Sequence, residues 1–235
     1  MTTLGAPVAA GGFWQLYLNW RYAVLFYSLL LTLAAGPLLG ALGFFAGFLE
    51  FLLVTNLLAA VIPMARGWGR GLLLILLAFA VTVRLGADWL GHARLSAESL
   101  GLWTIVALLA AANALRFALR ATAVDSEHVY AALSAYLLAG NFFGVFYWVL
   151  ERAWPGSFSM ATQSVDSGFS LPSAIYFSFV TLATLGYGDV IPRSDTARGL
   201  AILEAVAGQL YLAVMVARLV SLYVRGTDGG STERL

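Results

Sequence analysis

Long apolar stretches dominate the chain, and short polar or charged connections separate them. A helix that crosses a bilayer needs about 20 mostly apolar residues, and six stretches of the sequence reach that length. The pattern therefore predicts an all-α polytopic membrane protein with six transmembrane helices. The predicted spans cover about residues 19–40, 43–63, 70–90, 100–121, 129–151 and 198–224.

The connection between the last two spans is too long for a simple turn. Inside it, the apolar run 171–184 is too short to cross a membrane, but it suits a half-helix that re-enters the bilayer from one side. Ser170 is a candidate N-cap for this half-helix, and Pro172 lies in its first turn, where a missing N–H is harmless. The sequence thus predicts a four-helix module over residues 1–121, followed over residues 122–235 by a module that contains the half-helix.

The composition agrees with a membrane location. Hydrophobic residues make up 61% of the chain and charged residues 11%, whereas a soluble domain carries about 25% charged residues. This charge content is too low for a soluble enzyme, and the net charge of +1 provides no basic footprint for nucleic acid. The absence of Cys excludes disulfides and Cys-ligated metal sites, and His92 and His128 lie far apart in the sequence.

The distribution of arginine predicts how the chain is oriented in the membrane. With a cytoplasmic N-terminus, eight arginines lie on the cytoplasmic side and four on the outer side, while Arg84 lies inside the third span. This bias agrees with the positive-inside rule. We therefore expect both termini in the cytoplasm and a half-helix that enters the membrane from outside.

The segment TLATLGYGD at residues 181–189 overlaps the end of the half-helix and lies between two complete predicted spans. It resembles the TxxTxGYGD signature of the tetrameric potassium channel family. The resemblance is specific over about residues 173–189 and architectural over residues 129–224, whereas residues 1–128 contribute only a helix count. It implies a homotetrameric channel in a bacterial plasma membrane, with lipids and other copies of the chain as its partners.

The resemblance also implies that residues 184–188 form a selectivity filter between an outer helix, the fifth span, and an inner helix, the sixth span. Gly186 and Gly188 permit positive φ angles, which turn successive carbonyls toward one axis. The side chains of Leu185 and Tyr187 are expected to point away from that axis. Permeant K⁺ ions, rather than an organic cofactor, would be held by oxygens that replace their hydration shell: the backbone carbonyls of Thr184, Leu185, Gly186 and Tyr187 and the Thr184 hydroxyl.

Further residues are implied to support the filter or the gate. Asp189 follows the last glycine, where it can hydrogen-bond behind the filter and make its mouth negative. Tyr176 and Phe177 replace two Trp of the family; they either brace the filter or simply pack, and packing is favoured for Phe177. Glu204 lies near the outer half of the filter and is expected to pack against the half-helix. Gly208 resembles the family's gating hinge, although close helix packing explains a mid-helix glycine equally well.

The four-helix module resembles a voltage sensor in its layout but lacks the charges of one. A sensor carries Arg at every third position through a helix, whereas the fourth span has only Arg116 and Arg120, at its cytoplasmic end. We therefore expect weak or absent voltage gating. Glu50 in the second span and Arg84 in the third lie at similar depth, which predicts a structural ion pair within the membrane.

These observations predict a potassium-selective ion channel subunit rather than an enzyme, since the sequence contains no catalytic constellation. A nonselective cation channel is an alternative, against which Tyr187 argues, because an acidic or small residue would be expected at that position. A secondary transporter would show inverted repeats and paired interrupted helices, and the sequence has neither. A non-conducting regulatory subunit is a third alternative that stays open at this point.

Overall fold

The computed structural model describes residues 20–41, 108–119, 126–161 and 168–228, and the single positions 52, 55, 56, 71 and 75. The continuous ranges form five α-helices and one small sheet of two strands. In chain order the elements are α1 (Arg21–Ala41), α2 (Leu108–Leu119), α3 (Ser126–Ala153), β1 (Phe158–Met160), α4 (Leu171–Leu182), β2 (Val190–Pro192) and α5 (Asp195–Asp228).

Two helices of the described part, α3 and α5, are long and apolar enough to cross a membrane. They correspond to the fifth and sixth predicted spans, but each begins three residues earlier than the sequence predicted, at positions 126 and 195. The early start of α5 has a local cause. The Ser194 hydroxyl accepts a hydrogen bond from the Ala197 N–H at 3.2 Å, and this satisfies one of the free donors of the first turn.

The helix α3 is the centre of the packing. On one side, α1 and α2 pack against it through a buried apolar cluster that includes Leu25, Ala114 and Leu138. On the other side, α4 and the start of α5 pack against it through a second cluster, in which Tyr147 and Phe177 are buried. The helix α3 therefore contacts α1 and α2 through one cluster, and α4 and α5 through the other.

Two glycines of α3 allow α4 to approach very closely. A Cβ atom at Gly140 would lie 2.5 Å from the Phe179 ring, and one at Gly144 would lie 2.7 Å from the Cα of Ile175. At Gly144 the contact is with backbone, so glycine is required there if the two helices are to stay at this distance, whereas at Gly140 the Phe179 ring would have to move. Small residues serve the same purpose where membrane helices cross closely.

The half-helix α4 begins as predicted and ends earlier than predicted. Ser170 is its N-cap and accepts a hydrogen bond from the Ser173 N–H, and Pro172 lies in the first turn, which confirms both predictions. The helix ends at Leu182 rather than at residue 184. The reason is that Thr184 has a φ angle of +57°, in the left-handed region, which no α-helix can include.

The connections around α4 contain a small antiparallel sheet that sequence analysis did not predict. In it, Phe158 pairs with Pro192 and Met160 with Val190. Glu151, near the end of α3, accepts hydrogen bonds from the N–H groups of Gly156 and Phe158 at 2.8 and 3.0 Å, which fixes the chain between α3 and β1. The strand β2, which follows residues 184–189, is therefore paired with β1, which follows α3.

Most of the second and third predicted spans, including Glu50 and Arg84, lies outside the described residues. The same holds for Arg120 and for the two ends of the chain, residues 1–19 and 229–235. The predicted ion pair, the count of six helices and the position of the termini stay predictions.

Candidate functional site

The backbone of residues 184–188 has an unusual, regular conformation. Thr184, Gly186 and Gly188 have φ angles of +57°, +56° and +79°, while the two residues between them have negative φ. When left- and right-handed residues alternate, successive N–H groups converge on one side of the chain. Such a backbone can turn its carbonyl oxygens to the other side, which is the arrangement that the predicted cation site requires.

Thr184 is the one non-glycine residue with positive φ among the described residues, and several hydrogen bonds hold it there. Its N–H donates to the Thr181 carbonyl at 2.9 Å, and the Leu185 N–H donates to the Val180 carbonyl at 2.9 Å. On the other side, the Gln209 side-chain amide of α5 donates to the Thr184 hydroxyl at 3.3 Å. These contacts offset a backbone strain of about 1–3 kcal/mol, and they link Thr184 to α4 and α5.

The side chains of Leu185 and Tyr187 are exposed in the single chain. Their exposed fractions are 56% and 66%, so the described part of the chain provides no scaffold behind them. Sequence analysis expected both side chains to point away from the axis of the filter, where a surface would have to cover them. Any surface that covers them must therefore come from outside the described part of this chain.

Asp189 is fixed at the outer end of the segment by three hydrogen bonds. The Tyr176 hydroxyl donates to its carboxylate at 2.7 Å, and the Val190 N–H donates to the same carboxylate at 3.0 Å. The Ala161 N–H donates to its backbone carbonyl at 2.8 Å. The bond to the Asp189 carboxylate raises the pKa of the Tyr176 hydroxyl, so this group stays protonated and remains a donor.

The aromatic pair of α4 divides its roles between two faces of the helix. Tyr176 contacts Asp189, as described above, and is partly exposed. Phe177 is buried, and its ring meets those of Tyr147 and Phe158 edge to face at centroid distances of 5.1 and 5.3 Å. Phe177 thus contributes packing between α4, α3 and the outer sheet.

Glu204 lies in a buried polar cluster between three helices. Its side chain is fully buried, and its carboxyl oxygens lie 2.7 Å from the Tyr147 hydroxyl of α3 and 2.5 Å from the Ser178 hydroxyl of α4. Ser178 also lies 2.7 Å from the Gly140 carbonyl. Sequence analysis named Glu204 but missed Tyr147 and Ser178, since a lone hydroxyl in an apolar helix gives no signal of its partner.

Gly208 lies where α5 crosses the C-terminal end of α4. A Cβ atom there would be 2.7 Å from the Leu182 carbonyl oxygen, so the two backbones are in direct contact. The same carbonyl accepts a hydrogen bond from the Tyr136 hydroxyl of α3 at 3.3 Å. The helix α5 is continuous through Gly208, and the observed geometry is that of close packing; a hinge at this glycine stays a prediction.

Side-chain metal ligands are not grouped anywhere in the described ranges, where no three His, Asp or Glu residues come together. His128, for example, stacks on the Phe117 ring at a centroid distance of 4.6 Å. The candidate cation ligands named by sequence analysis are the backbone oxygens of residues 184–187. The C-terminal end of α4 stops at Leu182, and its negative dipole end lies next to those oxygens.

Part of the chain is similar to known ion channels. Residues 133–225 match the family model described as "Ion channel". The chain is 37% identical over 95 residues to the inward rectifier potassium channel Kirbac3.1 of Paramagnetospirillum magnetotacticum. The aligned region covers 40% of this chain and 25% of that protein. The chain is 32% identical over 94 residues to the two pore potassium channel c of rice (Oryza sativa subsp. japonica), covering 40% and 18%.

A third relative is the voltage-gated potassium channel Kch of Escherichia coli, to which the chain is 37% identical over 57 residues, or 24% of this chain and 14% of that protein. The chain thus spans a quarter or less of the length of these curated relatives. No solved structure is significantly similar to it. The ion channel match and the apolar helices α3 and α5 together support an integral membrane protein.

Proposed function

We propose that the chain is a subunit of a homotetrameric, potassium-selective ion channel, and that residues 184–188 form its selectivity filter. The observation that carries this proposal is the alternation of positive and negative φ in these residues, directly after the end of a half-helix. The family match and the potassium channels among the relatives support the choice of K⁺ as the ion.

The filter works by replacing the hydration shell of the ion. Carbonyl oxygens that already face one side need little reorganisation when a dehydrated ion arrives. Rings of such oxygens replace the water ligands of K⁺, so that the ion can enter the filter. The carbonyls of Thr184, Leu185, Gly186 and Tyr187 and the Thr184 hydroxyl supply these ligands. The negative end of α4 favours a cation just below them.

Four copies are needed because each chain supplies one column of carbonyls. A single column cannot surround an ion, whereas cyclic symmetry turns four columns into stacked rings. The exposed side chains of Leu185 and Tyr187 support this assembly, since a neighbouring subunit can cover them. The apolar outer face of α5, with Ile202, Leu203 and Leu210 more than half exposed, provides further surface for neighbouring copies and lipid.

Membrane placement and gating follow from the charge pattern. With Arg concentrated on one side, we propose that both termini are cytoplasmic and that α4 enters from outside in a bacterial plasma membrane. The fourth span lacks a ladder of Arg, so the conductance should depend only weakly on voltage. A conductance–voltage curve measured in planar bilayers with a gating charge of several units would contradict this, because such steepness requires many charges that cross the field.

The proposed selectivity is tested by reversal potentials of the purified, reconstituted protein in mixed potassium and sodium solutions. We expect the reversal potential to follow the potassium gradient. Equal permeability to both ions would instead indicate a nonselective cation channel. Uptake that is coupled to a second solute would indicate a transporter, and intact tetramers without current would indicate a regulatory subunit.

The role of the filter backbone is tested by Gly186→Ala. Within its own chain a Cβ atom at Gly186 has nothing within 4 Å, so the cost that the described residues impose on it is that of the φ angle of +56°. The left-handed conformation costs a residue with a Cβ atom about 1–2 kcal/mol, and this cost applies to each subunit of the tetramer. We expect tetramers that no longer conduct selectively.

Two other glycines provide matched controls for this variant. Gly156 also has positive φ, +88°, but lies in the turn before β1, and Gly199 lies in α5 with open space around it. Gly156→Ala controls for backbone strain outside the filter, and Gly199→Ala controls for the added methyl group. Both should conduct with wild-type selectivity. If Gly186→Ala also conducts normally, the carbonyl-ring model is wrong.

A further inference from the structure

Three short oxygen–oxygen contacts surround Glu204, but an ionised carboxylate would leave only two hydroxyl protons to fill them. The Ser178 hydroxyl lies 2.5 Å from one oxygen of Glu204 and 2.7 Å from the Gly140 carbonyl oxygen. Both distances are those of O–H···O hydrogen bonds. A serine hydroxyl carries one proton, and a backbone carbonyl carries none, so Ser178 can donate to only one of the two oxygens.

If Glu204 were ionised, one of these two contacts would bring two oxygen lone pairs together without a proton between them. A proton on Oε1 of Glu204 removes that conflict. Glu204 then donates to Ser178, Ser178 donates to Gly140, and the Tyr147 hydroxyl donates to Oε2 of Glu204 at 2.7 Å. Every polar atom of the cluster is satisfied in this arrangement, and no other assignment of the protons achieves this.

The surroundings of Glu204 also disfavour a charge. The carboxyl is fully buried, and its hydrogen-bond partners in the described ranges are two hydroxyl groups, with no arginine within ion-pair distance. Tyr136 of α3 also faces the carboxyl and carries no compensating positive charge. An unpaired carboxylate inside a membrane protein is costly, whereas a neutral carboxylic acid that makes hydrogen bonds is not.

We propose that Glu204 is a neutral carboxylic acid and a positioning residue for α4, which donates its proton to Ser178 and so joins α5, α4 and α3 in one chain of hydrogen bonds. Glu204 and Gly208 lie one turn apart on α5. The first holds α4 at Ser178, and the second contacts the end of α4 at the Leu182 carbonyl. Together they fix the position of α4 just before the filter begins at Thr184.

The protonation state can be tested without reference to ion conduction. Infrared spectra of the purified full-length protein at neutral pH should contain the carbonyl band of a protonated carboxylic acid. Glu204→Gln should remove this band. Glu151→Gln is the matched control, since Glu151 is a partly exposed carboxylate that accepts two backbone hydrogen bonds, and it should leave the band in place. A band that persists in Glu204→Gln, or its absence from the wild type, would overturn the assignment.

The positioning role is tested by rescue with the conservative variant. A glutamine amide reproduces the proposed pattern, because its carbonyl can accept from Tyr147 and its NH₂ group can donate to Ser178. We therefore expect Glu204→Gln to keep the wild-type thermal stability and potassium-to-sodium permeability ratio, and Glu204→Ala to lose tetramers. Glutamine that is as damaging as alanine would refute the neutral-acid arrangement.

Ser178→Ala provides a readout that a purely structural role would not change. It removes the group through which Glu204 acts while it leaves the carboxyl in place. We expect tetramers with a reduced permeability ratio, and an unchanged ratio in intact tetramers would refute the positioning role. This part rests on the proposed function. If the wild type conducts no potassium, the proposed function fails, while the infrared result still decides the protonation state.

Discussion

The contact between Gly208 and the end of α4 predicts a specific defect when a single methyl group is added. In Gly208→Ala the new Cβ would lie 2.7 Å from the Leu182 carbonyl oxygen and 2.9 Å from a methyl group of the Leu182 side chain. The side chain can rotate away, but the carbonyl belongs to the last turn of α4 and cannot. Ordinary van der Waals contact begins at 3.4 Å, so α5 and the end of α4 must separate by more than half an ångström.

The magnitude follows from two opposing effects. Replacing glycine by alanine inside a helix stabilises it by up to about 1 kcal/mol. Forcing an extra methyl group into a packed contact costs about 1–3 kcal/mol. Gly199→Ala is the matched control, because it lies in the same helix and its Cβ meets nothing within 4 Å. We therefore expect the free energy of unfolding to differ by about 1–3 kcal/mol per chain between the two variants, with Gly208→Ala less stable.

Thermal unfolding of the purified tetramers measures this difference, and single-channel recording in bilayers measures its effect on conduction. Since Leu182 lies two residues before Thr184, the separation should also disturb potassium selectivity. Equal stability of Gly208→Ala and Gly199→Ala would refute the packing argument. If that equality came with a reduced open probability in Gly208→Ala, the glycine would instead act as the hinge that the resemblance implied.

Three further variants test other contacts. Tyr176→Phe removes the hydrogen bond at the outer end of the filter and should lower stability by about 0.5–1.5 kcal/mol per chain and weaken potassium selectivity, whereas Tyr27→Phe, which loses an exposed hydroxyl contact far from the filter, should leave selectivity unchanged. Gly144→Ala would place its Cβ 2.7 Å from the α4 backbone and should reduce tetramer yield; a normal yield would contradict the required closeness of α3 and α4. Neutralising Glu50 or Arg84 alone should cost about 3–5 kcal/mol if they pair, and the double variant Glu50→Gln with Arg84→Met should recover much of it; additive losses would show that they do not interact.

The sequence was sufficient for the features that depend on local pattern. The length of the apolar runs located α3 and α5, and the Ser-Leu-Pro start located the beginning of α4, because capping involves only neighbouring residues. The end of α4 was placed two residues late, since the run stays apolar through residue 184 and nothing in it signals that Thr184 adopts a left-handed conformation. The small sheet was missed because its two strands have three residues each, too few for a pattern of alternation to appear.

Sequence analysis could name candidate residues where one segment contains them, but not where several helices meet. The segment 184–188 is continuous, so the resemblance could be recognised from these neighbouring residues, and the role of their carbonyls stays a prediction. The partners of Glu204, by contrast, come from α3 and α4, and Ser178 and Tyr147 are separated from it by 26 and 57 residues. No local pattern reports such contacts, since they depend on how the helices pack.

The pattern of burial on α5 agrees with the expectation that Glu204 packs inward, toward α4. The residues of α5 that face the rest of the chain include Glu204, Gly208 and Met215, whereas Ile202 and Leu210 are exposed. This helix therefore directs a carboxyl and a glycine inward and large apolar residues outward, the reverse of a helix in a soluble protein. In a membrane the outward residues meet lipid or another subunit, and polar groups are stable only where other helices satisfy them. Hydropathy alone would point Glu204 toward water. Its position near the filter predicted that it packs inward, and the close approach of α3, α4 and α5 adds its partners, Tyr147 and Ser178.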